Sequence, residues 1–215
     1  MDIVVGLICL AGFVVLAMNL EAGWLHDWDN KMHQWIDPAS GSEGLTSFMK
    51  VVTLLGSIKV VGILVLLVAI WFILRRSYRE AFGLLVTVAG SLVINRLLKE
   101  TFERDRPDLP HLVKAGGFSF PSSNAMLAAA FFGMLGYLLW KHFGRSFIYP
   151  LVAAIIAAVV AVSRVYLQVH YFSDVVAGVL AGVLWFLICK AIFASGGRRY
   201  RSSYRGGYSN KRHFP

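Results

Sequence analysis

Apolar and polar positions alternate along this chain in long blocks rather than at the spacing of a soluble helix. Predominantly apolar runs cover residues 3–20, 58–74, 81–98, 125–140, 147–162 and 175–194. Each is close to the roughly 20 residues that a helix rising 1.5 Å per residue needs to cross about 30 Å of hydrocarbon. Six membrane-spanning helices are therefore predicted. The first run lacks a basic start, has Asp2 in its place and is followed by no Ala-x-Ala site, so it reads as an uncleaved span rather than a signal peptide.

The polar blocks differ in kind. Residues 21–57 mix Asp27, Asp29, Lys31 and Asp37 with Trp24, Trp28 and Trp35, whose amphipathic rings favour headgroup level. Beyond the Asp37-Pro38 break, Leu45, Phe48, Met49, Val52 and Leu55 fall on one helical face, predicting a helix that lies on the membrane or packs on the spans. His26 and His33 read as interfacial polar residues. Residues 75–80 and 141–145 are short basic loops, the second containing His142. Residues 99–124 form a long connection in which Pro107, Pro110, Gly116 and Gly117 deny a continuous helix. Residues 195–215 are rich in Gly, Ser, Tyr and Arg without an apolar period, which predicts a disordered basic tail after one membrane domain of residues 1–194.

Composition narrows the class. Hydrophobic residues make up 57% of the 215 and charged ones 15%, too apolar a balance for an ordinary soluble domain. The formal charge of +9 gathers at the ends of apolar runs and in the tail, so anionic headgroups account for it and no nucleic-acid partner is needed. Cys9 and Cys189 lie inside apolar runs and form no disulfide framework. In the last run, Gly178-x3-Gly182 and Ala177-x3-Ala181 predict close helix packing and leave a homodimer open.

Charge at a membrane boundary is costly and marks a site. Three stretches carry it: Lys99 through Arg106-Pro107, Pro121-Ser122-Ser123-Asn124, and Ser163-Arg164 followed by His170 and Asp174. Lys99, Arg106 and Arg164 suit a phosphate clamp, Arg through its planar fork and Lys as a point charge. Arg104 and Lys114 read as outer-leaflet anchors. Ser122 and Ser123 precede the fourth span, where helix-start amides favour an anion, although capping by a Ser explains them equally. His170 is the candidate nucleophile, and Asp174, one helical turn on, is placed to orient it. No carboxylate cluster with metal-ligand spacing accompanies them, and no cofactor is expected.

Taken together, Lys-x6-Arg-Pro, Pro-Ser-x-x and Ser-Arg-x5-His-x3-Asp resemble the signature of the type 2 phosphatidic acid phosphatase family over residues 45–194. The resemblance implies a metal-independent, all-α membrane phosphatase similar to bacterial enzymes for phosphatidylglycerophosphate or undecaprenyl diphosphate. It implies phosphate binding by Lys99, Arg106, Ser122, Ser123 and Arg164, and a phosphohistidine at His170 supported by Asp174. Asn124 departs from the pattern, standing where the family has the His that protonates the leaving oxygen. An amide cannot donate a proton at neutral pH, which favours a lipid diphosphate over phosphatidylglycerophosphate or phosphatidate. A departing phosphate with a pKa of about 6 needs little protonation. The competing readings are a catalytically impaired lipid-phosphate binder, an engineered His-to-Asn variant, or a substitute donor such as His111 or Asp105. The lipid itself and any transferase activity stay open.

The basic loops and tail place both termini in the cytoplasm of a multi-pass cell-membrane protein, with the site on the extracytoplasmic face. In intact cells a membrane-impermeant thiol reagent should label Ala115→Cys and spare Tyr78→Cys. The reverse pattern would invert the topology.

Overall fold

The computed structural model describes residues 1–36, 38 and 41–194. The predicted disordered tail and the Asp37 side of the Asp37-Pro38 break lie outside the described residues.

Among the described residues every regular element is helical: α1 (Asp2–Met18), α2 (Gly23–Trp35), α3 (Glu43–Val52) running into a 3₁₀ turn (Thr53–Gly56), α4 (Ile58–Leu74), α5 (Tyr78–Phe102), α6 (Ser123–His142), α7 (Ile148–Tyr166) and α8 (Phe172–Ala194). Four of these, α5 to α8, are individually long and apolar enough to cross a membrane. Counting each bent pair as one span, α1 with α2 at 103° and α3 with α4 at 53°, gives up to six. Sequence starts and stops are legible at the ends. Ser42 and Ser57 accept from the amides of Leu45 and Val60 as N-caps of α3 and α4. The helices at the site run a few residues past their apolar runs, so that Lys99 and Arg164 sit in last turns rather than in loops.

The core is built around α6. Ala125, Ala128, Ala129, Ala130 and Phe131 on it are buried, and α5, α7 and α8 pack against it. Lipid supplies little drive to bring helices together, so close backbone approach through small residues carries the packing. The expected use of Gly178 and Gly182 is met here, against α6. A Cβ at Gly182 would meet the Met126 carbonyl, and one at Gly178 would lie 2.7 Å from the Ser122 carbonyl. At the opposite end of the bundle, Lys190 Nζ reaches Asp2 Oδ2 at 2.8 Å, and Glu80 pairs with Lys141 at 2.7 Å beside His142. Large side chains such as Leu66, Leu67 and Ile70 of α4 point outward, the inverse of a soluble bundle.

On the candidate outer face, α2 exposes Trp24, Trp28 and Trp35 while burying Leu25 and Asp29. α3 divides between the two predicted roles: Val52 is buried in the core and Phe48 is exposed. An apolar cavity of about 740 Å³ lies between α1, α6, α7 and α8, floored by Ala129 and Gly133 and bounded near the site by Ile36 and Phe172.

Because the Ser122 amide donates to the Asp174 carbonyl at 3.0 Å just beside Gly178, a methyl group at position 178 has no free room. Gly178→Ala should destabilise the protein by about 1–3 kcal/mol, the usual cost of overpacking. Thermal unfolding in detergent measures it, and an unchanged Tm would contradict the packing.

Candidate active site

Two backbone turns assemble the site. α5 ends at Glu103, whose φ of 44° lies in the left-handed region, and this turn throws the following residues back over the bundle. The returning loop is closed by the Ser119 amide donating to Arg104 O at 2.7 Å and the Leu112 amide donating to Leu167 O at 3.2 Å. Gln168, with φ of 58°, turns the chain between α7 and α8 so that His170 enters the interior. Lys99, Arg106, Arg164, His170, Asp174 and the start of α6 thereby converge from stretches that are far apart in the chain.

The cations are held by oxygen atoms. Lys99 Nζ donates to the carbonyls of Phe118 and Ser119, the latter at 3.2 Å. Arg106 donates to Gly117 O at 3.0 Å, Gly116 O at 2.9 Å and Val169 O at 2.6 Å, and its Nη1 stands 3.2 Å from His170 Nε2. Arg164, 7% exposed, donates through Nη1 to the Thr53 hydroxyl at 2.8 Å. Its buried Nε has no partner, and neither has the buried hydroxyl of Ser122. Ser122 therefore occupies the N-cap position of α6 without capping it through its side chain. Ser123 differs: its hydroxyl donates to Asn95 Oδ1 of α5 at 2.6 Å, so only its backbone remains for an anion. The first bond of α6 runs from Met126 N to Ser122 O, and the amides ahead of Met126 are those that a helix start leaves unpaired.

Around His170 the polar contacts form a chain. Its Nδ1 stands 3.5 Å from Asp174 Oδ2 and 3.2 Å from Ser119 Oγ, and the Ser119 hydroxyl donates to the same Asp174 oxygen. A serine has one proton to give, so with that proton on Asp174 its oxygen is left to accept from Nδ1–H. The proton assigned to Nδ1 leaves the lone pair on Nε2, toward Arg106. Burial lowers the pKa of His170 to about 3 against the opposing pull of the Asp174 carboxylate, so the ring is neutral at pH 7. Asp174 Oδ1 accepts from Arg104 Nη1 at 2.7 Å, and Arg104 Nη2 donates to the buried Asp29 of α2 at 2.9 Å.

That pairing corrects the reading of Arg104 as an outer-leaflet anchor. Its side chain is 10% exposed, lies over the Tyr171 ring at 4.1 Å and joins two buried carboxylates, whereas Lys114 is exposed. Burial disfavours the Arg104 charge, but Asp174 and Asp29 outweigh it and raise its pKa. The sequence reading also missed Asp29, Ser119 and Thr53. For Asp29 a signal existed: it lies four residues after Leu25, and both fall on the buried face of α2. Asn124 donates through Nδ2 to Thr53 O at 3.1 Å, tying α6 to the 3₁₀ turn. His111 and Asp105 are exposed, and His111 Nε2 meets Pro107 O at 3.1 Å. His33, read as interfacial, packs edge-on to Tyr171, with ring centroids 6.0 Å apart. Among the described residues no three His, Cys, Asp or Glu side chains converge as metal ligands.

Residues 80–197 match the model of the PAP2 superfamily, and that span includes all three stretches. Phosphatidylglycerophosphatase B of Bacillus subtilis (strain 168) is 33% identical over 151 residues, 68% of this chain and 74% of the relative. The candidate undecaprenyl-diphosphatase YbjG of Escherichia coli (strain K12) is 29% identical over 157 residues, 69% of this chain and 76% of the relative. The crystal structure of the transmembrane PAP2-type phosphatidylglycerolphosphate phosphatase from Bacillus subtilis superposes with a TM-score of 0.85 at 28% identity, over 90% of this chain and 98% of that one. With a family match over more than half its length and a relative of this identity, the chain belongs to the PAP2 superfamily.

Proposed function

We propose that this chain is a membrane lipid phosphatase that cleaves a lipid diphosphate through a phosphohistidine at His170. The observation that carries the reading is the pair of unpartnered buried groups, Arg164 Nε and Ser122 Oγ, within the cluster that holds His170. Buried polar atoms are nearly always bonded, and two that are not, one of them cationic, suit an anion. The relatives, named as phosphatases or diphosphatases of lipid phosphates, support the same class.

Phosphoryl transfer asks for charge around the equatorial oxygens and a nucleophile in line with the leaving oxygen. Lys99, Arg106 and Arg164 supply the charge, together with the amides at the start of α6. Arg106 exchanges its Nε2 contact for a phosphoryl oxygen, freeing the His170 lone pair to attack phosphorus. The bond from phosphorus to the leaving oxygen breaks as the N–P bond forms. Positive charge developing on the ring is met by the Asp174 carboxylate, 3.5 Å from Nδ1 and linked to it through the Ser119 hydroxyl. Water then attacks the phosphohistidine and releases inorganic phosphate. The lipid tail takes the apolar cavity beside α7 and α8, whose upper end abuts Phe172. The basic loops 75–80 and 141–145 support a site on the extracytoplasmic side.

Asn124 directs the choice of substrate. Its amide hydrogens are engaged by Thr53, so the leaving group departs without a proton from this position. An alkoxide, whose conjugate acid has a pKa near that of water at about 15.7, departs poorly under that condition. A departing lipid monophosphate, with a second pKa of about 6, does not need the proton.

A panel of phosphatidate, phosphatidylglycerophosphate and polyprenyl diphosphate, assayed for released phosphate, tests the reading. His170→Ala, Lys99→Ala and Arg164→Ala should abolish turnover and leave folded protein, and millimolar vanadate should inhibit the wild type. Activity that persists in His170→Ala overturns the mechanism. Asn124→His should raise phosphatidate hydrolysis by roughly 10²–10⁴-fold, the usual worth of general acid catalysis, with little change on the diphosphate. Equal gains on both substrates would refute the diphosphate preference.

A further inference from the structure

We propose that Arg104 and Asp29 are positioning residues that fix the Asp174 carboxylate, and through it the tautomer of His170, by tying the start of α8 to α2. The proposal rests on the reading of His170 as the nucleophile.

The geometry divides the two oxygens of Asp174 between separate tasks. Oδ2 serves His170, accepting from the Ser119 hydroxyl and from the Tyr171 amide at 3.0 Å. Oδ1 is occupied by Arg104 Nη1 at 2.7 Å, so the carboxylate cannot turn about its bond without breaking that contact. Arg104 is itself anchored, with Nη2 on Asp29 at 2.9 Å and Nη1 also on the Ser173 hydroxyl at 2.8 Å. Asp29, fully buried, closes the unit by accepting from the Ser173 amide at 2.8 Å and from its hydroxyl at 2.6 Å. The planar guanidinium reaches both carboxylates at once with separate nitrogens, which the single nitrogen of an ammonium does less well.

Removing this support has two effects. Asp29 and Asp174 would be two negative charges in one buried place, and like charges there drive one of them to take a proton. A carboxylate that turns or protonates no longer holds the Ser119 hydroxyl in the orientation that accepts from Nδ1–H, the ring can carry its proton on Nε2 instead, and that nitrogen then has no lone pair for phosphorus. Neither residue touches phosphate, so ground-state binding should be spared.

The test uses the full chain in detergent. Arg104→Gln leaves the two carboxylates unbalanced, so Asp29→Asn/Arg104→Gln is the charge-matched variant, and Asp29→Asn alone serves if the Arg104 variants do not fold. The double variant should lose about 10²-fold in kcat, the order expected from a small misplacement of a catalytic group. KM and the vanadate concentration for half inhibition should stay within roughly threefold, because binding is unchanged. A second readout needs no turnover: ¹⁵N spectra of histidine-labelled protein, with the His170 signals assigned by their loss in His170→Gln. The wild type should show neutral His170 with its proton on Nδ1, and Asp29→Asn or the double variant should show the Nε2–H tautomer appearing. A wild-type tautomer together with wild-type kcat in folded variants overturns the proposal, as does a loss confined to KM. Absence of phosphate release by the wild type counts against the phosphatase reading instead, and the spectra still decide the positioning role.

Discussion

Charge buried at the end of an apolar bundle must be matched by charge or by directed dipoles, because desolvating an ion costs several kcal/mol that a lone contact does not return. The charged groups at the site end of this bundle answer that constraint. Arg104 lies between Asp29 and Asp174. Lys99 and Arg106 collect carbonyl oxygens from the returning loop, which has too little regular structure to use those oxygens itself. Arg164 has the Thr53 hydroxyl and a buried Nε without a partner. The loop supplies the carbonyls that the cations need, and Lys99 and Arg106 sit half-buried beneath it.

The same constraint sorts the site into two electrostatic halves. On one side lies the group with a net anionic character, Asp29, Asp174 and their shared Arg104, which keeps His170 oriented from Nδ1. On the other lie Lys99, Arg106 and Arg164, which among the described residues have no carboxylate hydrogen-bond partners, and Nε2 faces Arg106 there. The imidazole sits between them, buried and neutral. In the proposed reading, a phosphate group would complete the cationic half. This gives physical content to a stretch in which His and Asp are four residues apart: the spacing brings one carboxylate oxygen to the ring, but it is Arg104 that holds the other oxygen in place.

Small residues set the scale on which this works. Gly178, one turn after Asp174, lets α8 approach the first turn of α6 closely enough for Ser122 N to reach the Asp174 carbonyl. The start of α6 and the Asp174 backbone are thereby fixed relative to one another directly, without a flexible side chain between them.

The helical spans were legible in the sequence because hydrocarbon admits only segments that satisfy their own backbone, and a run of apolar residues of the right length has few other folds. The candidate cations, His170 and Asp174 were legible for the complementary reason: ionisable residues at a membrane boundary are too costly to be incidental, and their spacing resembles one family's. What the chain could not express was partnership. Arg104 and Arg106 are two residues apart in one loop, and nothing in composition or period says that the first turns toward Asp29 and the second toward His170. Asp29 stood among Asp27 and Lys31 as one more interfacial charge until the fold buried its face of α2. Ser119 and Thr53 are ordinary hydroxyls in sequence, and they gain a role only where loop closure and the 3₁₀ turn set them beside His170 and Arg164. Local periodicity and the cost of charge in lipid determined which helices form and where chemistry is placed; only long-range packing, which pairs specific atoms across the chain, decided which residue supports which.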